Sequence, residues 1–503
     1  FNRIERSQAF TSRDLDASGM LRGPMVEVLP GRLWWAPSRG SPPDDFAGEF
    51  HRALDLCRYD DTHPEAKYSV THYSAKLAGR AFGPLGLDLV LRFCRALRIL
   101  LARGAPSGLA LGTAVGNVCE RTNAAVLLGA YLSLMEDWSV EQIRHAIGKK
   151  DAELMFACSW SRVDRPEPRR NLSVADCWAG IAMGSRMGWL DASCLDTEAS
   201  ANLVCSRWRQ WVTTYDCCWI IPGFIMVGAD PVTTVSDPNP ATFTAMFPAF
   251  GQPDLSSPGS SRFYSDMSPT TAYSDCSIPS EKRLETTDPS TPRPPRSEAT
   301  SALRTPHGEA GPQDEVGSVE TVCKEYHLAL DAACTTSDRQ PLDFFTFLKN
   351  IGISTIVRTN FANEPGMPMS GGYESEKFKV RGMGHHDIFI LDTHGGLPKG
   401  SDVEKALRLC PSGKPSAGAV YVHCKGGFGR SIMLACCLAI ERLDVPGSAL
   451  LGWVRIVRPG SINTPEQELL LKSFHGRGDV RKFASSGAGG ISVASAKCGC
   501  SVQ

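Results

Sequence analysis

Val422-His423-Cys424-Lys425-Gly426-Gly427-Phe428-Gly429-Arg430-Ser431 is the stretch on which the reading of this chain turns. The run Ala419 to Val422 leading into it has strand character, and an apolar helical pattern follows Ser431. A strand, a glycine-rich turn and a helix in that order are a unit of a mainly parallel α/β sheet. Working outward, Leu342 to Lys349 reads as a helix, Ile353 to Val357 as a strand and Asp387 to Leu391 as a second strand. Val403 to Leu409 reads as a helix with Ser401 or Asp402 as its cap.

The turn has the chemistry of an oxyanion cradle. Backbone N–H groups that open a helix converge on one point, and the helix dipole adds positive charge there. Gly426, Gly427 and Gly429 are expected to allow the tight path and its positive φ values. Lys425 and Phe428 complete the loop, and Arg430, six residues after Cys424, offers a planar fork to two phosphate oxygens. The same field favours the thiolate of a cysteine, so Cys424 is the candidate nucleophile. His423 is expected to brace the loop. Ser431 has two compatible roles, as donor to the sulfur and as cap of the following helix.

Phosphoryl transfer from a poor leaving group also needs an acid. The upstream candidates are Asp387, Asp392 and Asp402. Asp387 heads a strand and Asp402 suits a cap, whereas Asp392 opens the loop Thr393-His394-Gly395-Gly396-Leu397-Pro398. Asp392 is therefore chosen.

The rest of the 503 residues bounds this reading. Such a length implies at least two domains. Hydrophobic residues make up 42% and charged residues 21%, as in globular proteins, and 53 basic against 54 acidic residues leave a net charge of -1. No global field points to nucleic acid or a membrane, and no long apolar run suggests a span. The 18 cysteines lie mostly in apolar stretches and read as reduced core residues of an intracellular protein. Residues 1–24 read as a flexible lead, globular pattern begins near Met25, and residues 476–503 read as a loose tail. Residues 229–320, dense in Pro, Ser, Thr and Gly, are expected to be a disordered insert, with order returning near Tyr326. Its Ser/Thr-Pro steps at Ser257, Ser268, Thr291 and Thr305 are either sites for proline-directed phosphorylation or, the favoured reading, a product of composition alone. An internal echo is visible too. Arg121-Thr122 opens a helix much as Arg430-Ser431 does, but Cys119-Glu120 stands where the second copy has its full loop.

With those residues in view, the chain resembles the cell-division-cycle-fourteen family of dual-specificity protein phosphatases. The likeness is carried by Gly452-Trp453-Val454-Arg455-Ile456-Val457-Arg458-Pro459-Gly460-Ser461, Thr464-Pro465-Glu466-Gln467-Glu468 and His385-His386-Asp387-Ile388-Phe389. In the front half it rests on Phe82-Gly83-Pro84-Leu85, Arg121-Thr122-Asn123-Ala124-Ala125, Leu128-Gly129-Ala130-Tyr131 and Trp219-Ile220-Ile221-Pro222-Gly223. The resemblance implies two tandem protein-tyrosine-phosphatase-like domains, the first (25–203) non-catalytic and the second (223–475) catalytic. A linker helix near Val204 to Asp216 (204–222) would join them. It further implies no metal or other cofactor, phosphoprotein substrates with a preference for phosphoserine followed by proline, and Gln467 as the residue that positions water. Nuclear or cytoplasmic residence, with centrosome, spindle or cilium as stations, is implied in the same way. Ile432 stands where the family has glycine. The linker, acidic in the family, reads Arg207-Trp208-Arg209-Gln210-Trp211-Val212-Thr213, and only Asp216 keeps a carboxylate.

Two other readings fit the loop. One is a catalytically weak pseudophosphatase that holds phosphoproteins as a scaffold. The other is a phosphoinositide or RNA-end phosphatase, a class that favours more basic loops than one containing Lys425 alone.

Overall fold

The computed structural model describes residues 25–37, 39–57, 83–104, 107–156, 172–231, 342–364, 367, 372–392, 396–410, 418–462 and 464–486. The lead, most of the insert with its Ser/Thr-Pro steps, Tyr326, Thr393 to Gly395 and the end of the tail lie outside the described residues.

The front half builds one sheet. β1 (Val26–Leu29) and β2 (Leu33–Ala36) form an antiparallel hairpin turned by Gly31 at φ +65°. β3 (Glu49–Arg52) is followed by α1 (Leu87–Arg103), which stops at Gly104 in the left-handed conformation. β4 (Leu109–Gly112) then pairs in parallel with β2 and β3, giving the order β1-β2-β4-β3. α2 (Val118–Met135) begins earlier than Arg121 because the Asn117 side chain accepts the Glu120 N–H and caps it there. It is buried on nearly every side, as its continuous apolar sequence requires. α3 (Val140–Ile147) and α4 (Val174–Arg186) each open with a capping box, Ser139 with Gln142 and Ser173 with Asp176.

α5 (Glu198–Thr214) differs from the expected linker at both ends. Thr197 accepts the Ser200 N–H and starts the helix before Val204, and the stretch expected to run on to 222 turns into strand. Asp216, at φ +46°, breaks the helix, and Cys217-Cys218-Trp219-Ile220-Ile221 carries β propensity.

The second sheet starts with that strand, β5 (Cys217–Ile221), in a hairpin with β6 (Ile225–Gly228). Then come α6 (Phe344–Asn350), β7 (Ile353–Arg358), β8 (Gly384–Asp387), α7 (Gly400–Leu409), β9 (Ala419–His423) and α8 (Arg430–Leu443). α9 (Gly447–Val457), α10 (Pro465–Lys472) and α11 (Arg477–Ser485) follow. The strand order is β5-β6-β9-β7-β8, parallel from β6 onward. Side chains alternate between two buried faces: Val420 and Val422 enter one core, Ala419 and Tyr421 the other. A parallel sheet covered on both faces has this pattern.

Several local expectations shift. The strand placed at Asp387 to Leu391 is instead Gly384–Asp387, which ends where Arg358 grips both Asp387 oxygens at 2.7 and 3.1 Å. α7 starts at Gly400, and Asp402 sits at its third position, accepting the Lys399 N–H at 2.8 Å rather than serving as the cap itself. The tail is helical through Ser485, because Val480, Phe483 and Ala484 have an apolar surface to bury. Ala229 and Asp230, placed in the insert, are instead held by Tyr421 and by the carbonyl of Lys425.

Both sheets follow one plan. An antiparallel hairpin forms one edge, and the strand beside it leads through a turn into a buried helix: β4 into α2, β9 into α8. α4 and α9 pack closely enough that only glycine fits. A Cβ on Gly180 would lie 2.3 Å from the Trp453 nitrogen, and one on Gly452 would lie 2.0 Å from the Asp176 carbonyl oxygen.

Candidate active site

The loop between β9 and α8 is pinned on three sides. Above the strand, Thr359 donates both its N–H and its hydroxyl to the His423 carbonyl, each at 2.9 Å. On the β6 side, Gly427 takes φ +72°, and a Cβ there would lie 2.4 Å from the Gly228 carbonyl carbon. From below, buried Arg458 donates to the Gly427 and Gly426 carbonyls at 2.7 and 3.3 Å and stacks over Phe428 at 4.3 Å. Asp216 accepts from Nη2 of the same guanidinium at 2.8 Å. Of the three loop glycines, Gly427 has the positive φ; Gly429, at φ -117°, caps α8.

This cradle presents a sulfur with two donors. Gly427 N–H and the Ser431 hydroxyl point at Cys424 Sγ from 3.2 and 3.3 Å, and all but 3% of Cys424 is buried. Ser431 therefore faces the sulfur, while no side chain caps α8. Ile432, at the family's glycine position, is fully buried in the core.

Arg430 is fixed by a residue the sequence did not single out. Glu364, in the turn after β7, accepts from Nη1 at 2.5 Å and Nη2 at 2.8 Å, and the Ile390 carbonyl accepts from Nη1 at 3.2 Å. Burial opposes the charge on Arg430, and Glu364, with Cys424 and Asp392 nearby, outweighs it, holding the guanidinium above its ordinary pKa. Nothing in the spacing of Asn360-Phe361-Ala362-Asn363-Glu364 marks Glu364; only the close approach of the two loops does. Arg458 belongs to the run that carries the family likeness, and its grip on the loop carbonyls is a product of the fold.

Of the three acid candidates, Asp392 lies beside Arg430, 3.4 Å from Nη2, with its side chain 67% exposed. Asp387 is engaged by Arg358, and Asp402 by the start of α7. Gly396, at φ +62°, lies against Arg430, since a Cβ there would meet Arg430 Cγ at 2.9 Å. Gln467 is buried at the third position of α10, its N–H on the Thr464 hydroxyl at 3.3 Å. Lys425 is partly exposed, and its carbonyl accepts the Asp230 N–H.

Behind the nucleophile lies a buried polar chain. The Tyr373 hydroxyl sits 2.6 Å from His423 Nε2 and 2.9 Å from His385 Nε2. One hydroxyl proton cannot serve two acceptors, so one imidazole donates from Nε2 and the other accepts there. Burial pushes the His423 pKa down to about 3 and that of His385 to about 4, so both rings are neutral.

The matching turn of the front sheet is built differently. At the matching turn after β4, the Glu120 carboxylate accepts the Ala114 N–H at 2.9 Å and pairs with Arg52 Nε and Nη2 at 3.2 and 2.7 Å. An internal anion thus occupies the backbone donor. Arg121 is engaged by Asp151 at 2.5 Å, and Cys119 lies within α2.

Residues 27–184 match the family described as dual specificity protein phosphatase, N-terminal half. Mouse "Dual specificity protein phosphatase CDC14A" is 33% identical over 130 residues, 26% of this chain and 19% of that protein. "Tyrosine-protein phosphatase cdc-14" of Caenorhabditis elegans is 32% identical over 129 residues, 26% of this chain and 16% of that protein. The chain thus spans about a fifth or less of the length of these relatives. A solved structure of PTPMT1 covers 26% of this chain and 81% of its own at 20% identity, with a TM-score of 0.22, too low to bear on the reading. Among the described residues no helix is long and apolar enough to cross a membrane. The front half of the chain is thus similar to the N-terminal half of dual-specificity protein phosphatases, and over about a quarter of its length the chain is similar to CDC14 phosphatases.

Proposed function

We propose that the chain is a protein phosphatase that hydrolyses phosphoserine, phosphothreonine and phosphotyrosine through a phosphocysteine intermediate. The observation that carries this reading is the convergence of two donors on Cys424 Sγ beside a guanidinium held in place by Glu364. Hydrogen bonds to sulfur stabilise negative charge on it, and Arg430 with the loop N–H groups takes up charge on the phosphoryl oxygens. Cys424 attacks phosphorus, forming an S–P bond as the ester P–O bond breaks. The leaving oxygen takes a proton from Asp392. Water, positioned by Gln467, then gives its proton to the Asp392 carboxylate and attacks phosphorus. Cys424 leaves with the help of the Ser431 hydroxyl, and inorganic phosphate is released.

In this reading the catalytic unit is the second sheet with its helices, and the front sheet is a non-catalytic duplicate whose cradle is filled by Glu120. The favoured substrates are phosphoserine followed by proline. The test is hydrolysis of phospho-Ser-Pro and phosphotyrosine peptides by the full chain, compared with Cys424→Ser. Turnover at least a hundredfold above the variant (on the order of 3 kcal/mol) is expected. Equal rates would end the enzymatic reading in favour of a phosphoprotein-binding scaffold.

A further inference from the structure

Beside the cradle, two phenylalanines are stacked in the open. Phe361 and Phe389 lie ring to ring at 4.7 Å and 18°, with 37% and 43% of each residue exposed. Leu391, on the same side of the extended chain as Phe389, is 56% exposed, while Ile388 and Ile390 turn into the core. A contiguous exposed apolar patch, unlike a scattered exposed residue, marks an interaction site.

The position of the pair says what interacts with it. Phe361 N–H donates to Glu364 Oε1 at 2.8 Å, the same carboxylate that holds Arg430. Phe389 precedes Ile390, whose carbonyl accepts from Arg430 at 3.2 Å. Both phenylalanines follow the C-terminal ends of the neighbouring strands β7 and β8, the end at which open α/β sheets bind ligands. A peptide whose phosphoryl group sits on Cys424 and Arg430 has its next residues only about 3.8 Å further along per residue. The rings stand next to Glu364 and Ile390, the groups that hold Arg430, and so lie within reach of the peptide's next residues.

We infer that Phe361, Phe389 and Leu391 form a specificity ledge that takes an apolar side chain of the substrate peptide within two residues of the phosphosite. This deepens the phosphatase reading and rests on it for the kind of ligand, though not for turnover. The ledge adds contact without touching the reacting atoms, so it acts on binding and leaves the chemical step to the cradle.

The test measures binding, so that loss of turnover cannot obscure it. The full chain carrying Cys424→Ser is titrated, by fluorescence anisotropy, into two dye-labelled phosphoserine peptides. They are identical except for Leu or Ser at the two positions on each side of the phosphosite. The Leu-flanked peptide is expected to bind about tenfold tighter. Adding Phe361→Ser and Phe389→Ser should erase that ratio, while adding Phe361→Tyr and Phe389→Tyr should keep it. Equal binding of both peptides before the ledge is changed, or a ratio that survives the serine variants, overturns the proposal. So does equal weakening of both peptides, which would make the rings mere props for Glu364. A phosphotyrosine version that alone weakens would mean the ledge meets the phosphorylated ring itself, and this also overturns it. If the parent chain shows no turnover while the ratio and its loss are seen, the phosphatase reading fails and the ledge stands.

Discussion

Glu364 holds Arg430 by both Nη atoms, at 2.5 and 2.8 Å, while accepting the N–H of Phe361 with one of the same oxygens. The carboxylate therefore sets the plane of the guanidinium before any substrate arrives. Charge-assisted pairs of this kind contribute about 1.5–3 kcal/mol. Glu364→Ala should lower kcat/KM by about 10- to 100-fold, with Glu364→Gln in between because it can still accept one N–H. Steady-state kinetics on a phosphopeptide, together with the inhibition constant for a phosphate-like oxyanion, checks this. An unchanged oxyanion constant would show that Arg430 orients without Glu364.

Gly427 is the loop position at which a side chain is least tolerable, because φ is +72° and a Cβ would lie 2.4 Å from the Gly228 carbonyl group. Gly427→Ala should cost about 2–4 kcal/mol of stability through strain and backbone displacement. Gly478, in α11 with nothing within 4 Å of its absent Cβ, is the control. Gly478→Ala should stabilise by about 0.5–1 kcal/mol. Urea denaturation of the two variants reads both signs, and destabilisation by the second would point to a role for the glycine beyond conformational freedom.

The loop and its supports were not equally legible in the sequence. The loop itself was legible, because strand, glycines, arginine and helix are contiguous and each has a local physical reason. The helices α1, α2 and α4 were legible too, from apolar spacing over many residues. Glu364 and Arg458 were not, since each reaches the loop from a segment far away in the chain, 66 residues for Glu364 and 31 for Arg458. The strand end at Asp387 was misplaced for a similar reason. Ile388-Phe389-Ile390-Leu391 has a strand's composition, and the end is set by the grip of Arg358 on Asp387. The alternation there, with Ile inward and Phe and Leu outward, shows what composition alone concealed.

The His385–Tyr373–His423 chain has a pH signature. Both imidazoles are held neutral by burial, with pKa near 4 and near 3, against an unfolded value of about 6.5. The unfolded chain therefore binds more protons below about pH 6.5, and stability falls as pH drops from there toward about 3. Each histidine adds up to about 1.4 kcal/mol per pH unit to that slope. Asp88 and Glu468, pushed up by burial to about 6 and about 7, act in the opposite sense, losing stability as pH rises toward those values. The comparison is thus between wild type and His385→Gln across pH 4–7, where the variant should show the shallower loss on acidification. Parallel curves would mean that His385 is charged in the folded protein.

Asp392 stands 3.4 Å from Arg430 Nη2 on an exposed loop, free of the pairings that occupy Asp387 and Asp402. Asp392→Asn should slow hydrolysis of a phosphoserine peptide by about 100- to 10,000-fold, the range for a lost general acid. With an activated aryl phosphate, whose leaving group needs no proton, the loss should be much smaller. Equal losses on both substrates would move the acid to another residue.

Asp216 is the one carboxylate left at the end of the segment where the CDC14-like pattern is acidic, and here it is spent on Arg458. Burial raises its pKa and Arg458 counters that, an arrangement that serves the loop rather than an incoming cation. Nearby, Arg209 is bound to Asp88 at 2.9 Å, and the Trp208 indole N–H is committed to the Val457 carbonyl. A lysine placed downstream of the phosphosite should therefore improve kcat/KM by less than about twofold, as expected of a solvent-exposed charge. Asp216→Asn should instead act on all substrates alike, because it loosens Arg458 from the Gly426 and Gly427 carbonyls. A large benefit from downstream lysine that Asp216→Asn abolishes would show that the carboxylate turns from Arg458 to the substrate.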